Sequence, residues 1–379
     1  MKIIADENMP NAQMLFSHLG DVTLVNGRTI THEQIKDADV LLVRSVTKVN
    51  RELLEGSNVR FVGSATIGVD HIDADYLTNA NITFSSAPGC NAEAVADYVF
   101  SGLSHLYMTK KIHWLNKKIG IIGYGNVGKT VYDRFASLGC DVCVYDPFKE
   151  NSQSANFVTL DEILSCDVIS LHAPLTKNGL HPTKGMIARD QLAQISAGTV
   201  IISAGRGGVI DENALIERYK ELEGKLHLVL DVWDGEPSIN QELVALVDIA
   251  TPHIAGYSKQ GREKGTWMVY QALCTFLKLN SNQIEITNGI SAGWFNSISI
   301  NLAGPKEEIL ARSMHAIYDV ARDDARLRHK YRENKEQNIF DWLRKNYVER
   351  DEFNTCSINT SDMVAANLLC AAGFSVENK

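Results

Sequence analysis

KIGIIGYGNVGKTVYDRFASLGCDVCVYD, residues 118–146, reads as a strand, a glycine-rich turn, a helix and a second strand. Ile119, Ile121 and Ile122 form the first apolar run, and Gly123, Gly125 and Gly128 fit G-x-G-x-x-G where the helix opens. In such a βαβ unit the first glycine permits the tight turn, the second admits a pyrophosphate to the backbone, and the third lets helix and strand pack closely. Unpaired N–H groups and the dipole at the helix N-terminus favour the anion. The second strand ends in Asp146, 18 residues after Gly128, where a carboxylate takes the ribose hydroxyls of NAD and repels the extra phosphate of NADP. The glycines alone are weak evidence, but strand, helix, second strand and terminal Asp together point to NAD.

The rest of the chain suits such a unit. Its 379 residues exceed what one core usually serves, so two or three domains are expected. A hydrophobic share of 45% and a charged share of 22% are those of a globular protein. The net charge of -9 speaks against nucleic-acid or membrane surfaces as partners. Met1-Lys2-Ile3 starts a strand with no signal pattern, and no apolar run is long enough to span a bilayer, so a cytoplasmic location is expected. Seven scattered cysteines make no disulfide framework, and no metal site is expected. Cys140 and Cys143 spell C-x-x-C, but inside a strand, where they read as core.

Residues 1–90 alternate short β-rich runs (KIIADE, VTLV, VLLVRS, VRFVGSAT, ITFSSAP) with helical stretches, the pattern of a parallel sheet. Asp6, Arg44, Ser45 and Thr66 stand at strand ends, where ligands of open α/β sheets gather. Residues 91–108 repeat apolar positions at helical spacing. After the glycine unit the strand–helix rhythm continues to VDIATPHIAG, and GTWMVYQALCTFLKL follows as a helix. Beyond about residue 285 the chain reads as α+β with no second glycine fingerprint.

Arg206 in SAGRGGVID, Glu236 in DVWDGEP and His253 in TPHIAG follow three predicted strands. A guanidinium among glycines clamps a carboxylate through two parallel hydrogen bonds. Histidine exchanges a proton with a hydroxyl, and a glutamate on its other nitrogen fixes the tautomer and stabilises the charged ring. These groups suit hydride transfer from the carbon bearing a hydroxyl beside a carboxylate. His172, also at a strand end, has no evident acid–base partner and reads as structural.

In this order, the glycine turn with Asp146, GRGGVID, DVWDGEP and TPHIAG resemble the NAD-dependent D-2-hydroxyacid dehydrogenases, in which the Arg, Glu and His are catalytic. DENMPNAQMLFSHLGDV, LLVRSVTKVN, FVGSATIGVDHID, SAPGCNAEAVADYVFS, YDVARDDARLR and LRKNY extend the similarity nearly end to end. They point to a branch that acts on a phosphorylated 2-hydroxy acid and carries a C-terminal module most relatives lack. The resemblance implies an α/β fold of two doubly wound parallel-sheet lobes with the active site between them. A flavodoxin-like substrate lobe would span 1–92 and 256–284, a Rossmann NAD domain 93–255, and a C-terminal α+β dimerisation domain 285–379, giving a homodimer.

It implies further that Gly123, Gly125, Asn126, Val127, Gly128, Asp146, Ala173, Ala204, Gly205, Asp231, Gly256 and Tyr257 contact the cofactor, and that Ser45 and Thr66 contact substrate. Ala173 replaces an expected threonine, which leaves only a backbone contact there. The substrate phosphate needs donors of its own. Arg44 is the nearest candidate, and Arg344 or Lys345 from a partner's tail is a second. Two other readings stay open: another member of the family, such as a 3-phosphoglycerate enzyme, and an NAD-sensing protein of the corepressor type.

Overall fold

The computed structural model describes residues 1–149, 155–280, 290–301, 304–333 and 338–378. The chain divides into two compact units, Met1–Asn91 with Ser258–Ala292, and Ala92–Tyr257 with Gly293–Lys379. The boundary expected after residue 284 lies outside the described residues.

The first unit begins β1 (Lys2–Asp6), α1 (Ala12–Phe16), β2 (Asp21–Val25), α2 (His32–Ile35), β3 (Val40–Val43), α3 (Arg51–Leu54), β4 (Phe61–Ser64), α4 (Ala74–Asn79) and β5 (Thr83–Ser85). Its sheet runs β2-β1-β3-β4-β5 with every pair parallel, the flavodoxin-like order. VLLV and FVGS are buried throughout, as strands covered on both faces must be. The sequence did not announce α2, a four-residue turn closed by the Gln34 side chain accepting from Thr31 N–H at 2.9 Å.

The second unit opens with α5 (Ala92–Lys110), whose buried positions lie all round it rather than on one stripe, because other helices cover it on several sides. It continues through β6 (Lys118–Ile122), α6 (Asn126–Ser137), β7 (Asp141–Tyr145), α7 (Leu160–Leu164), β8 (Val168–Leu171), α8 (Arg189–Gln194), β9 (Val200–Ser203), α9 (Glu212–Glu221), β10 (His227–Leu230), α10 (Gln241–Leu246) and β11 (Ile249–Ala250). The sheet order is β11-β10-β9-β8-β6-β7, again all parallel. A parallel bridge between Val144 and Phe157 stands outside β7 where a Rossmann sheet has its third strand. Counting it, the order is that of the dinucleotide-binding fold, with its switch point between β6 and β8. Helix α11 (Lys259–Phe276) belongs to the first unit and lies so close to β4 that a Cβ on Gly63 would come within 2.4 Å of Val269 Cγ1.

The C-terminal segment folds as β12 (Ser297–Ser299), α12 (Lys306–Ile317), α13 (Val320–Glu333), α14 (Ile339–Lys345), β13 (Ser357–Thr360), α15 (Met363–Ala371) and β14 (Ser375–Asn378). Its three strands pair in parallel in chain order. Helices α12 and α13 pack on α5, and α15 on α6, so the segment shares one compact unit with the nucleotide sheet. The stretch read as one helix and a turn breaks at Tyr318, which is extended (φ -142°, ψ 116°) and buries its ring with the hydroxyl donating to Asp323 Oδ2 at 3.0 Å. Among the described residues no helix is long and apolar enough to cross a membrane. All seven cysteines are free, and Cys143 faces Cys166 at 3.5 Å rather than Cys140.

The turn after β6 tests the reading of its glycines. Gly123 sits at φ +89°, a region that glycine adopts without steric cost. A Cβ on Gly128 would stand 1.9 Å from Gly123 O. Gly128→Ala is therefore expected to push α6 off the turn, lowering the unfolding free energy from urea titration by about 1–3 kcal/mol, the cost of overpacking, and weakening NAD binding in a fluorescence titration. Unchanged values of both would refute this packing.

Candidate active site

The carboxyl edge of the second unit's sheet collects the predicted residues. Gly125 caps α6, is exposed, and has no atom within 4 Å of where a Cβ would stand, so the N–H groups of Asn126 and Val127 have open space before them. That fits a diphosphate on the helix N-terminus. At the end of β7, Asp146 accepts from Tyr124 N–H at 2.8 Å and from Phe148 N–H at 3.1 Å, one bond per oxygen. An ionised carboxylate offers about four lone-pair sites, so capacity remains for two ribose hydroxyls. The backbone of Ala173 lies between two glycine turns: Cβ atoms on Gly123 and Gly205 would meet Ala173 N at 2.8 Å and Ala173 O at 2.7 Å. Ala204 continues the sheet by donating to Leu171 O at 3.2 Å.

Arg206 and Glu236 are brought together by close backbone approach. A Cβ on Gly207 would stand 1.8 Å from Trp233 O, so the GRGG loop lies directly on the segment after β10. That segment folds back through Trp233 N–H donating to Glu236 Oε1 at 2.9 Å. Arg206 is half-buried, and its Nη1 donates to Gly205 O at 2.9 Å. Beyond the strand ends the sheet's hydrogen bonding continues, with Asp231 N–H donating to Ser203 O at 2.9 Å and His253 N–H to Asp231 O at 2.8 Å. The three segments therefore run side by side.

His253 Nδ1 meets Glu236 Oε2 at 2.8 Å. Burial pushes the Glu236 carboxyl up, but the hydrogen bond and charge of His253, the Trp233 N–H and the charge of Arg344 outweigh it, and the net shift is downward. An ionised carboxylate only accepts, so Nδ1 carries a proton, and Nε2 is the nitrogen left to exchange one with a substrate. Asp231, expected to touch the cofactor, is buried and accepts from Thr251 Oγ1 at 2.7 Å, Ile254 N–H at 2.7 Å and Ala255 N–H at 2.9 Å. It shapes the loop that holds His253 at φ +56° and carries Gly256 and Tyr257.

His172 is a core residue: its Nε2 pairs with Ser170 Oγ at 2.8 Å and burial pushes the ring down to about 3. Arg44, Ser45 and Thr66 follow β3 and β4 of the first unit. Arg44 Nε lies 3.3 Å from the buried Asp6 carboxylate, and Thr66 Oγ1 donates to Gly68 O at 3.2 Å. Ser64, which bonds both Thr66 Oγ1 at 2.8 Å and His71 Nε2 at 3.0 Å, went unnoticed in the sequence because it looked like strand. Arg344 lies beside Tyr257 of its own chain, 5.8 Å from the ring centroid. Among the described residues no cluster of His, Cys, Asp and Glu is suited to a metal.

Comparison with known proteins places this geometry. Residues 103–255 match the NAD binding domain of D-isomer specific 2-hydroxyacid dehydrogenases, and residues 290–373 match a domain of unknown function. The erythronate-4-phosphate dehydrogenase of Marinomonas sp. (strain MWYL1) is 76% identical over the full length of both chains. The chain belongs to the erythronate-4-phosphate dehydrogenase family. Its Escherichia coli member is 43% identical over 99% of this chain and 98% of its own. Among solved structures, NAD-bound 3-phosphoglycerate dehydrogenase of Entamoeba histolytica is 29% identical with a TM-score of 0.62, covering 73% of this chain and 95% of its own. D-lactate dehydrogenase of Aquifex aeolicus with NAD and lactic acid is 25% identical with a TM-score of 0.61, covering 76% and 98%.

The lowered Glu236 carboxyl has a consequence for stability. Because the folded state holds this group ionised where the unfolded chain is already taking up protons, its contribution is present above the ordinary 4.5 and lost as pH falls through the lower folded value. Between pH 5 and 3, roughly, the wild-type urea midpoint should therefore fall more steeply than that of Glu236→Gln. Parallel slopes would refute the coupling.

Proposed function

We propose that this chain oxidises 4-phospho-D-erythronate at C2 with NAD, giving 2-oxo-3-hydroxy-4-phosphobutanoate and NADH, in the cytoplasmic pathway to pyridoxal 5'-phosphate. The observation that carries the reading is the 2.8 Å bond from His253 Nδ1 to Glu236, on the segment that the Arg206 loop packs against. Bound at the glycine turn and Asp146, NAD supplies the hydride acceptor. His253 takes the C2 hydroxyl proton on Nε2, so the O–H and C2–H bonds break as the carbonyl forms. Glu236 stabilises the resulting imidazolium and keeps the ring oriented. Arg206 holds the substrate carboxylate and stabilises charge on the C2 oxygen.

The backbones of Ala173, Ala204 and Gly205 line the nicotinamide side, and Gly256 and Tyr257 lie on the cofactor edge of the His253 loop. Asp231 acts at least by fixing that loop. Ser45 and Thr66 bind substrate from their own unit, and Arg44 meets its phosphate. The division into substrate lobe, NAD domain and C-terminal dimerisation domain is retained as part of this reading. Exposed Trp294 (82%) and Phe295 (55%) on the C-terminal segment favour a homodimer. Identity of 76% to an erythronate-4-phosphate dehydrogenase, against 29% to a 3-phosphoglycerate enzyme, leaves the latter substrate unfavoured, and an acid–base pair argues against a role limited to sensing NAD.

NADH absorbance with 4-phospho-D-erythronate tests the proposal: turnover should be clear in the wild type and fall by at least about 100-fold in His253→Ala, the lower range for general acid–base catalysis. Preference for 3-phosphoglycerate would overturn the substrate assignment. Arg44→Ala should raise KM for the phosphorylated acid about tenfold or more, one charge-assisted hydrogen bond's worth, with little change for D-erythronate. Equal losses on both acids would remove Arg44 from the phosphate site.

A further inference from the structure

The C-terminal segment, residues 290–373 of which match a domain of unknown function, reaches the loop that carries His253. Arg350 is buried, and its Nη2 donates to Ala255 O at 2.5 Å and Ala94 O at 3.0 Å, with the guanidinium 3.9 Å from the Tyr318 ring centroid. Tyr347 sets its ring edge-on to Tyr257, centroids 5.7 Å apart, while its hydroxyl donates to Asp323 Oδ2 at 2.7 Å. Those two side chains hold the loop by bonds and contacts already made, although Arg350 Nε and Nη1 are also buried without a hydrogen-bond partner.

Arg344, in the last turn of α14, is different. Its guanidinium lies 5.8 Å from the Tyr257 ring centroid and 5.9 Å from that of Phe340. The side chain is only 20% exposed, and the nearest ion-pair partner, Asp341, stands at 3.8 Å, beyond hydrogen-bond length. Its Nε is buried with no hydrogen-bond partner. The guanidinium donates a hydrogen bond to the Tyr257 side chain and is favoured by the charge of Glu236, yet burial is costly for a cation that leaves donors unused, and its planar donor fork matches phosphate oxygens. Within this unit the other anions of the reaction have takers: the N-terminus of α6 for the pyrophosphate, and Arg206 for the substrate carboxylate. The substrate's phosphate monoester has none.

Resting on the proposed function, the geometry points to Arg344 as a binding group for the phosphate monoester of the substrate, supplied beside Tyr257 by the chain's own C-terminal segment. The C-terminal segment then has a part in substrate selection distinct from assembly.

The test uses the full-length chain with Arg344→Met and Arg344→Lys, checked for wild-type melting temperature. In Arg344→Met, KM for 4-phospho-D-erythronate should rise about 10- to 100-fold, the range for a lost charge-assisted hydrogen bond or a bidentate pair, while KM for NAD and kcat/KM for D-erythronate hold. Arg344→Lys, which keeps the charge and loses the fork, should fall between. A raised KM for NAD would assign the arginine to the pyrophosphate and overturn the proposal. So would equal losses on both acids, or a displaced pH profile of kcat at unchanged KM, which would mark a role through Glu236. If the wild type oxidises neither acid, the proposed function fails, and titration with inorganic phosphate followed by calorimetry still decides the site: binding lost in Arg344→Met supports it, and equal binding overturns it.

Discussion

The buried carboxylate of Asp231 sets the geometry on which the candidate active site depends. It stands just past β10 and gathers one hydroxyl and two backbone N–H groups from the loop after β11. That loop turns through His253 in the left-handed region, at φ +56°, a conformation costing an L-residue about 1–2 kcal/mol. Charge-assisted hydrogen bonds contribute about 1.5–3 kcal/mol each, so the carboxylate outweighs the strain. Thr251, one of the donors, is itself paired with Tyr98 Oη at 2.8 Å, and its carbonyl accepts from Trp233 Nε1 at 2.9 Å. The histidine ring is therefore aimed by a network running back to α5, and Glu236 meets a ring already in place.

Much of this edge was legible because the candidate catalytic residues sit where apolar strand runs stop. Arg206, Glu236 and His253 each follow such a run, and the glycine turn declares itself by spacing. Strand order was not legible, since pairing joins residues far apart in sequence, and the third Rossmann strand survives only as a bridge at Phe157. The acceptor role of Asp231 was not legible either, because it is visible only once residues 20 to 24 positions on fold back over it. Ser64 and α2 escaped for a related reason: a four-residue turn and a buried hydroxyl leave no periodic trace.

The C-terminal segment was the least legible part, and long-range polar contacts explain why. Asp97, fully buried on α5, accepts from Arg134 Nη1 of α6 at 2.7 Å and from Phe353 N–H at 3.0 Å. Arg134 also reaches Glu93 at 2.5 Å. Burial pushes the Asp97 carboxyl up, against the pull of Arg134 and Arg350. Buried charges are tolerated when each has bonded partners, and removing one partner strands the rest. The helix that opens at the glycine turn is thus fixed, through one carboxylate, to the same segment that holds the His253 loop through Arg350.

This coupling bears on what the segment is for. A module serving assembly alone needs an outward apolar face, which Trp294 and Phe295 supply, and needs no cation turned toward the loop of the acid–base pair. Arg350 can be understood as a strut, since it bonds the carbonyls of Ala94 and Ala255. Arg344 makes fewer bonds: it reaches the Tyr257 side chain, but its Nε is buried without a partner and Asp341 stands too far away to hydrogen-bond. A strut stabilises only by the bonds it makes. A desolvated guanidinium with so little bonded to it is better explained by a ligand whose charge completes it, and the one anion left without a donor in this unit is the substrate's phosphate.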